Sequence, residues 1–499
     1  MTDRNNLNST STAVIEPNAL GRLVIVSNRE PYTIQTHGNE IRIERMPGGL
    51  VSALDPVLRQ RDGLWICWEG TSKKVVEVND VSSDEDSIDW DKIQLPYQIQ
   101  PVPLTQEEIN HYYYGYANTR LWPLFHYFIS HCNFFDERDW PSYVTANQKF
   151  ADAVVACTRA DDWIWVQDYH LLLVPELVRK QRPKHKISLF LHIPFPALEV
   201  FKILPKRDVI LRGMLGSDLI GFHIPDYGHY FLDAVERLLP NAEVQIDREH
   251  QRICYQGRMI QVGAFPISID TQKIAALVST QHLQDRAQKL RDNYSAQYIG
   301  ISVDRLDYTK GILENLEALQ LFFEKYPEYI RRFCFIQIAA PTRTAVPAYQ
   351  RMREEVEQAV GRINGLFSRD NWVPIHYFYR RFSLEDVLTY LMIADVAMIT
   401  PLRDGMNLVA KEYCAAKVDL SGVLMLSEFT GAAYELKEAL MINPFYIEEM
   451  ADTLQQALNL ATEIRQQKMQ ALRQTVADHD IHRWVQLFMD AFTHAVYHR

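Results

Sequence analysis

Positive charge is in short supply in this chain: 52 Lys and Arg stand against 63 Asp and Glu, a net charge of −11. That balance disfavours a nucleic-acid or anionic-membrane surface as the main partner, yet leaves room for a local basic pocket that takes phosphates. Long apolar runs are missing too. No segment approaches the roughly 20 residues needed to span a bilayer, and Met1–Leu20 is polar with no signal-peptide core, so a cytoplasmic protein without membrane contact is expected. The six cysteines (Cys67, Cys132, Cys157, Cys254, Cys334, Cys414) form no close pair, which excludes zinc-ribbon and redox spacings and predicts reduced, mostly buried thiols. The 16 histidines contain no His-Glu-x-x-His, so no metal is expected. No Gly-x-Gly-x-x-Gly follows the first strand, which ranks a nicotinamide dehydrogenase last among the readings. What remains, 47% hydrophobic and 23% charged over 499 residues, is ordinary globular composition with room for two or three domains.

What is present is an alternation of short apolar runs and helical segments that starts twice. After a lead-in at 1–20 that reads as disordered, Arg22–Val26 is a strand delivering Ser27-Asn28-Arg29 at its carboxyl end, where open α/β sheets bind ligands. Tyr32–Gln35 and Glu40–Arg45 read as a hairpin. Pro47-Gly48-Gly49 then opens a helix at about Leu50–Arg59, and the paired glycines suit either a plain turn or close backbone approach to a ligand. Leu64–Trp68 is a further strand, and the acid-rich Val78–Asp91 reads as a solvated loop. His111–Tyr127 is dense in aromatics but interleaves Asn, Arg and His, which fits a core or a sugar-binding wall. The strands Trp163–Gln167 and Ile187–Leu191 lead into Asp168 and His192, two ionisable residues at successive strand ends. The pattern restarts at Ile299–Val303, and Arg305 and Lys310 straddle the strand-to-helix turn that follows. Two cations there suit a leaving diphosphate when no metal neutralises it; a solvated basic turn is the plainer reading.

The densest stretch is Thr400–Tyr413, which follows the buried strand Val396–Thr400 and runs into a helix at Leu408–Lys417. Asp404 lies in the loop, Gly405 permits a tight turn, and Asn407 is placed to cap the helix. Such an N-terminus can hold a phosphate, and Glu412, one turn along, reaches toward an attached sugar. A solvated loop with a surface Glu fits this stretch alone equally well. Together the two alternating halves predict an α/β protein of two Rossmann-like domains facing across a cleft, at 21–265 and 266–465, with a C-terminal helix at 466–499 returning to the first.

With Arg403–Tyr413 and Arg305–Gly311 on view, the chain from about Arg22 onward resembles the trehalose-6-phosphate synthases, retaining glycosyltransferases of the two-Rossmann-domain glycosyltransferase-B fold. The resemblance implies transfer of glucose from a nucleotide-glucose, UDP-glucose in most members, to glucose 6-phosphate, without a metal or other cofactor. It assigns Arg29, Tyr113, Trp122, Asp168 and Arg343 to the acceptor in the first domain's half of the cleft. Gly48, Gly49, His192, Arg305, Lys310, Phe382, Asp404, Leu408, Val409 and Glu412 fall to the donor, with His192, Asp404, Arg305 and Lys310 closest to the chemistry. The implied mechanism is a front-face displacement in which a leaving-phosphate oxygen takes the acceptor proton.

Three residues depart from the family pattern: Gln167 where His usually precedes the aspartate, Glu30 before Pro31 where a small or apolar residue is usual, and Cys67 in place of Gly. Gln167 removes an ionisable neighbour of Asp168. No phosphatase motifs are present, so the reaction is expected to stop at the phosphorylated product. A relative using glycerol 3-phosphate is disfavoured by Arg29, Tyr113, Asp168 and Arg343. A silent sugar-phosphate sensor is disfavoured by Arg305, Lys310, Asp404 and Glu412. The nucleotide base stays open, and a homo-oligomer is compatible with the sequence.

Overall fold

The computed structural model describes residues 21–37, 40–46, 49–59, 63–68, 96–344 and 346–497. The lead-in at 1–20, Gly48 and the acid-rich Val78–Asp91 lie outside them.

Two sheets carry the chain. The first has nine strands in the order Gln98–Val102, Leu64–Trp68, Leu23–Ser27, Trp163–Gln167, Lys186–Phe190, Leu219–Phe222, Arg258–Ala264, Arg252–Tyr255, Val244–Asp247. All pairings are parallel except at the last two strands. Those two were not legible as strands, because Val244–Asp247 and Arg252–Tyr255 are four-residue, polar-rich segments whose antiparallel pairing partners lie outside the segments themselves. The second sheet is parallel throughout, in the order Ile375–Tyr379, Phe333–Ala340, Tyr298–Arg305, Val396–Ile399, Val423–Ser427, Leu440–Ile442. Its strands read as continuous apolar runs because helices cover both faces.

Each sheet winds outward in two directions from its centre, so each has a topological switch point where a ligand crevice opens at the strand ends. In the first sheet it lies between Leu23–Ser27 and Trp163–Gln167, above Arg29 and Asp168. In the second it lies between Tyr298–Arg305 and Val396–Ile399, above Arg305 and Asp404. The aromatic segment is a long helix of the wider i→i+5 kind, Ile109–Leu121, which buries Tyr112, Tyr113 and Tyr116. The hairpin Tyr32–His37 with Glu40–Arg45 and the helix Gly49–Arg59 stand where the periodicity places them.

The boundary expected at 466 falls inside the helix Thr462–Asp478, whose neighbours include Leu408–Ala416 and the strand Val423–Ser427 of the second sheet. The return comes later, with Ile481–Tyr497. There Phe488 stacks on Trp165 at 4.1 Å and 4°, Phe492 meets Trp163 edge-on at 4.9 Å, and Trp484 lies 5.3 Å from Trp165. The outgoing crossing, near 265–270, and this returning one are clipped together: Trp484 Nε1 donates to the Phe265 carbonyl (3.0 Å) and Ile481 N–H to that of Ile269 (3.0 Å).

A third clip comes from the helix Leu408–Ala416. The Lys411 ammonium is almost wholly buried and donates to the Ile267 carbonyl (2.9 Å) and to Glu435 (2.6 Å). Burial pushes the Lys411 pKa down despite Glu435, so its charge depends on both acceptors. Lys411→Met leaves Glu435 buried with only half-exposed His479 as a partner (3.0 Å). We expect a loss of about 3 kcal/mol, seen as a Tm several degrees lower in a thermal melt; an unchanged Tm would show that the crossing does not need this charge.

Candidate active site

Both switch points open onto one cavity of about 600 Å³. On the first-sheet side, Asn28 is fixed by the Tyr112 hydroxyl, which donates to Oδ1 (2.8 Å), and Ser27 Oγ accepts from Trp65 Nε1 (2.8 Å). With those neighbours held, Arg29 reaches out and donates from Nη2 to the Tyr113 hydroxyl (2.8 Å). Burial works to raise the Tyr113 phenol, but Arg29, Arg343 and Arg305 outweigh it and hold it below its ordinary value. Asp168 follows its strand with φ +72°, a conformation costly for a residue with a Cβ and typical of sites that aim a side chain. Its carboxyl accepts the His192 amide (3.1 Å), and burial raises its pKa to about 6 against the pull of Arg305 and Arg343.

Arg343, also at positive φ (+44°), comes from the second sheet but sits among residues of the first. Its Cζ lies 4.0 Å over the Trp122 ring, its Nη2 donates to the Tyr169 hydroxyl (3.1 Å), and its Nη1 pairs with Asp307 (2.9 Å) and Tyr349. Its Nε has no partner among the described residues. Arg305 lies 5.2 Å over the same indole and makes no ion pair among the described residues. Trp122 is thus a plate shared by two second-domain guanidiniums.

On the second-sheet side, Lys310 pairs with Asp404 (2.5 Å), whose Oδ2 also accepts from Asn407 Nδ2 (3.2 Å). Burial pushes the Asp404 carboxyl up, but Lys310 more than reverses that and keeps it ionised. Asn407 caps the helix as expected, its Oδ1 accepting from Ala410 N–H (3.1 Å). The first-turn residues Leu408 and Val409 line the cavity, together with Gly49 across it. His192 lines it too, its ring uncharged because burial and then His223 push its pKa well below the ordinary value.

Gly405 does something other than turn tightly. Among the described glycines only Gly257 and Gly311 have positive φ; Gly405 is needed for space, since a Cβ there would stand 2.2 Å from the His192 carbonyl oxygen. The loop bearing Asp404 therefore touches the loop bearing His192.

The cavity brings together Arg29, Tyr113, Trp122, Asp168, His192, Gly49, Arg305, Lys310, Arg343, Asp404, Leu408 and Val409. It does not bring in Phe382 or Glu412. Phe382 lines a separate depression with Arg380, Arg381 and Arg286. Glu412 is half-buried one turn down its helix, and burial raises its pKa to about 7. Four further residues support the site without having been singled out: Asp304, Asp307, Tyr169 and His126. The two aspartates flank Arg305 in the same turn, a signal that was available; His126, buried against Trp122 at 4.2 Å, carried none.

Cations on both walls, one capped helix N-terminus and a carboxylate held by lysine make a cleft fitted to phosphates and a polyhydroxylated ligand. A family profile described as glycosyltransferase family 20 matches residues 21–494. The chain belongs to glycosyltransferase family 20. This family 20 chain is 39% identical over 499 residues to a trehalose-6-phosphate synthase of Mycolicibacterium gilvum, covering 98% of each. It is 38% identical to the UDP-forming alpha,alpha-trehalose-phosphate synthase A of Dictyostelium discoideum over 93% of its own length and 61% of that protein's. A solved UDP-forming synthase from Burkholderia vietnamiensis superposes with TM-score 0.85 at 33% identity, covering 96% of this chain and 98% of that one. The fold is accordingly the two-Rossmann glycosyltransferase-B arrangement.

Adding a methyl group at Gly405 forces the two loops apart. Gly405→Ala should lower kcat/KM for glycosyl transfer by about 10²-fold, the usual cost of misplacing reacting groups by an ångström. Wild-type kcat/KM in steady-state assays would mean that the contact is dispensable.

Proposed function

We propose that this chain transfers glucose with retention from UDP-glucose to glucose 6-phosphate, giving α,α-trehalose 6-phosphate and UDP. One observation carries the reading: the switch points of both sheets empty into a single cavity, with a phosphate-seeking cluster on one wall and a capped helix N-terminus with its lysine on the other. A one-substrate sensor has no need of both. Relatives support the pairing, since a Burkholderia xenovorans homologue (32% identical, TM-score 0.83) is described in complex with glucose 6-phosphate and an E. coli one (32%, 0.83) with UDP-2-fluoro glucose.

Arg29, Tyr113 and Arg343 take the acceptor phosphate, with Trp122 holding Arg343 flat beneath it. Asp168, once ionised, accepts from acceptor hydroxyls. Arg305, Lys310 and the amides of Leu408 and Val409 neutralise the diphosphate as it leaves, which is the role a metal plays in other transferases. Asp404 and His192 orient the donor glucose. The leaving oxygen takes the acceptor proton on the same face, so no carboxylate nucleophile is required. Phe382 and Glu412, which do not line the cavity here, engage the uridine once the donor is seated. Assaying UDP-, ADP- and GDP-glucose against glucose 6-phosphate and glycerol 3-phosphate tests the reading; product with glycerol 3-phosphate and none with glucose 6-phosphate would replace it.

Arg343→Ala should raise the KM for glucose 6-phosphate by an amount equivalent to roughly 2–5 kcal/mol, because a phosphate dianion loses its guanidinium. The donor KM should stay near wild type. An unchanged acceptor KM would remove Arg343 from the acceptor site.

Turnover should continue in excess chelator, because Arg305 and Lys310 supply the charge that a divalent ion would. Complete loss in chelator, restored by magnesium or manganese, would show that a metal is required.

A further inference from the structure

Gln167 is the last residue of the strand Trp163–Gln167, 1% exposed, and one wall of the cavity. Its Oε1 stands 2.9 Å from His192 Nε2. An amide oxygen only accepts, so the imidazole nitrogen facing it carries the proton, and the second nitrogen, Nδ1, keeps a lone pair. The Gln167 NH2 group, on the other arm of the amide, has no partner among the described residues. A buried donor left unpaired is costly, so an oxygen-rich ligand in the cavity gains by satisfying it.

We propose that Gln167 is the positioning residue for His192 in sugar transfer: its amide oxygen holds the imidazole as the Nε2–H tautomer, while its amide N–H donates to an oxygen of the bound donor sugar. The proposal rests on the glucosyl-transfer reading above. It also gives the departure at this position a consequence. A histidine here titrates and offers a donor or an acceptor according to its own tautomer; glutamine always offers both at fixed places and never ionises.

The rest of the ring's surroundings leave the tautomer to Gln167. Phe190 and Trp484 pack on the ring at 4.6 and 6.3 Å between centroids, and neither accepts a proton from it. The titratable neighbours are His223 (5.4 Å between centroids), itself kept neutral by burial; Asp168, whose Oδ1 accepts the His192 backbone amide; and, across the cleft, Asp404 paired with Lys310. None of them forms a hydrogen bond to the His192 ring among the described residues.

Two substitutions test this. Gln167→Leu removes both functions at similar size and should cut kcat about 10- to 100-fold, while the KM for glucose 6-phosphate stays within about twofold. Gln167→Glu keeps the acceptor but sets a carboxylate against the ring, which favours the imidazolium. At matched pH the His192 ring-nitrogen NMR shifts should therefore move from the neutral Nε2–H pattern of the wild type toward the imidazolium pattern. Wild-type kcat in Gln167→Leu would overturn the proposal, as would a loss carried entirely by the acceptor KM or His192 ring-nitrogen shifts in Gln167→Glu that keep the wild-type neutral pattern. If instead the wild-type protein makes no disaccharide phosphate from any nucleotide-glucose, it is the glucosyl-transfer reading that has failed.

Discussion

The buried ion pair between Asp307 and Arg343 is the constraint on which the rest of the cleft depends. A cation that must grip a phosphate has to be desolvated beforehand, and an unpaired desolvated guanidinium is expensive. Asp307 meets that cost from below, its own ionisation secured because Arg343, Arg305 and Lys310 together outweigh the burial that pushes its carboxyl up. It occupies only Nη1, so Nε and part of Nη2 stay directed elsewhere. Trp122 covers the guanidinium face with a surface that attracts charge without competing for its N–H groups. Lys310 and Asp404 repeat the device on the opposite wall: a counter-charge that keeps a cation in place beside the cavity. The overall charge of −11 is no obstacle to anionic substrates, because each cation facing the cavity is locally arranged.

Much of this was legible from residues alone, and the reason lies in which physics is local. Strand existence, the cap at Asn407 and the placement of Arg29, Asp168, His192, Arg305 and Asp404 at strand ends follow from apolar runs, side-chain chemistry and the rule that ligands gather at carboxyl ends of parallel strands. What was not legible depends on partners far along the chain. Gly405 reads as a turn residue because its neighbours in sequence are loop residues; the carbonyl that excludes a Cβ belongs to His192. Arg343 and Trp122 lie far apart in sequence, and nothing in either neighbourhood announces that they stack. The helix boundary misplaced at 466 has the same origin, since Thr462–Asp478 and Ile481–Tyr497 are both amphipathic and only packing decides which sheet each one serves.

Phe382 and Glu412 mark where a resemblance says more than a static cleft. Both belong to the second domain, and neither lines the cavity. Glu412 is a half-buried carboxyl whose pKa burial raises to about 7, and its side chain has no hydrogen bond among the described residues. A hydrogen-bond donor brought to it would favour the ionised form and lower its pKa.

The helix Leu408–Ala416 ties the cavity to the crossings between the two domains. Its first turn lines the cavity, its Lys411 is fastened to the Ile267 carbonyl in the outgoing crossing, and that crossing is clipped to the returning helix at Phe265 and Ile269. The loop preceding the helix touches His192 through Gly405, and Arg403 stacks 4.0 Å over Tyr127 of the first domain. A displacement of this helix toward a diphosphate therefore cannot stay inside the second domain: it pulls on the crossing at one end and presses on the His192 loop at the other. Because packed interfaces resist gradual deformation, such a linkage favours discrete arrangements over drift. Movement of this helix and movement of the first-domain loop bearing His192 are, on this geometry, linked.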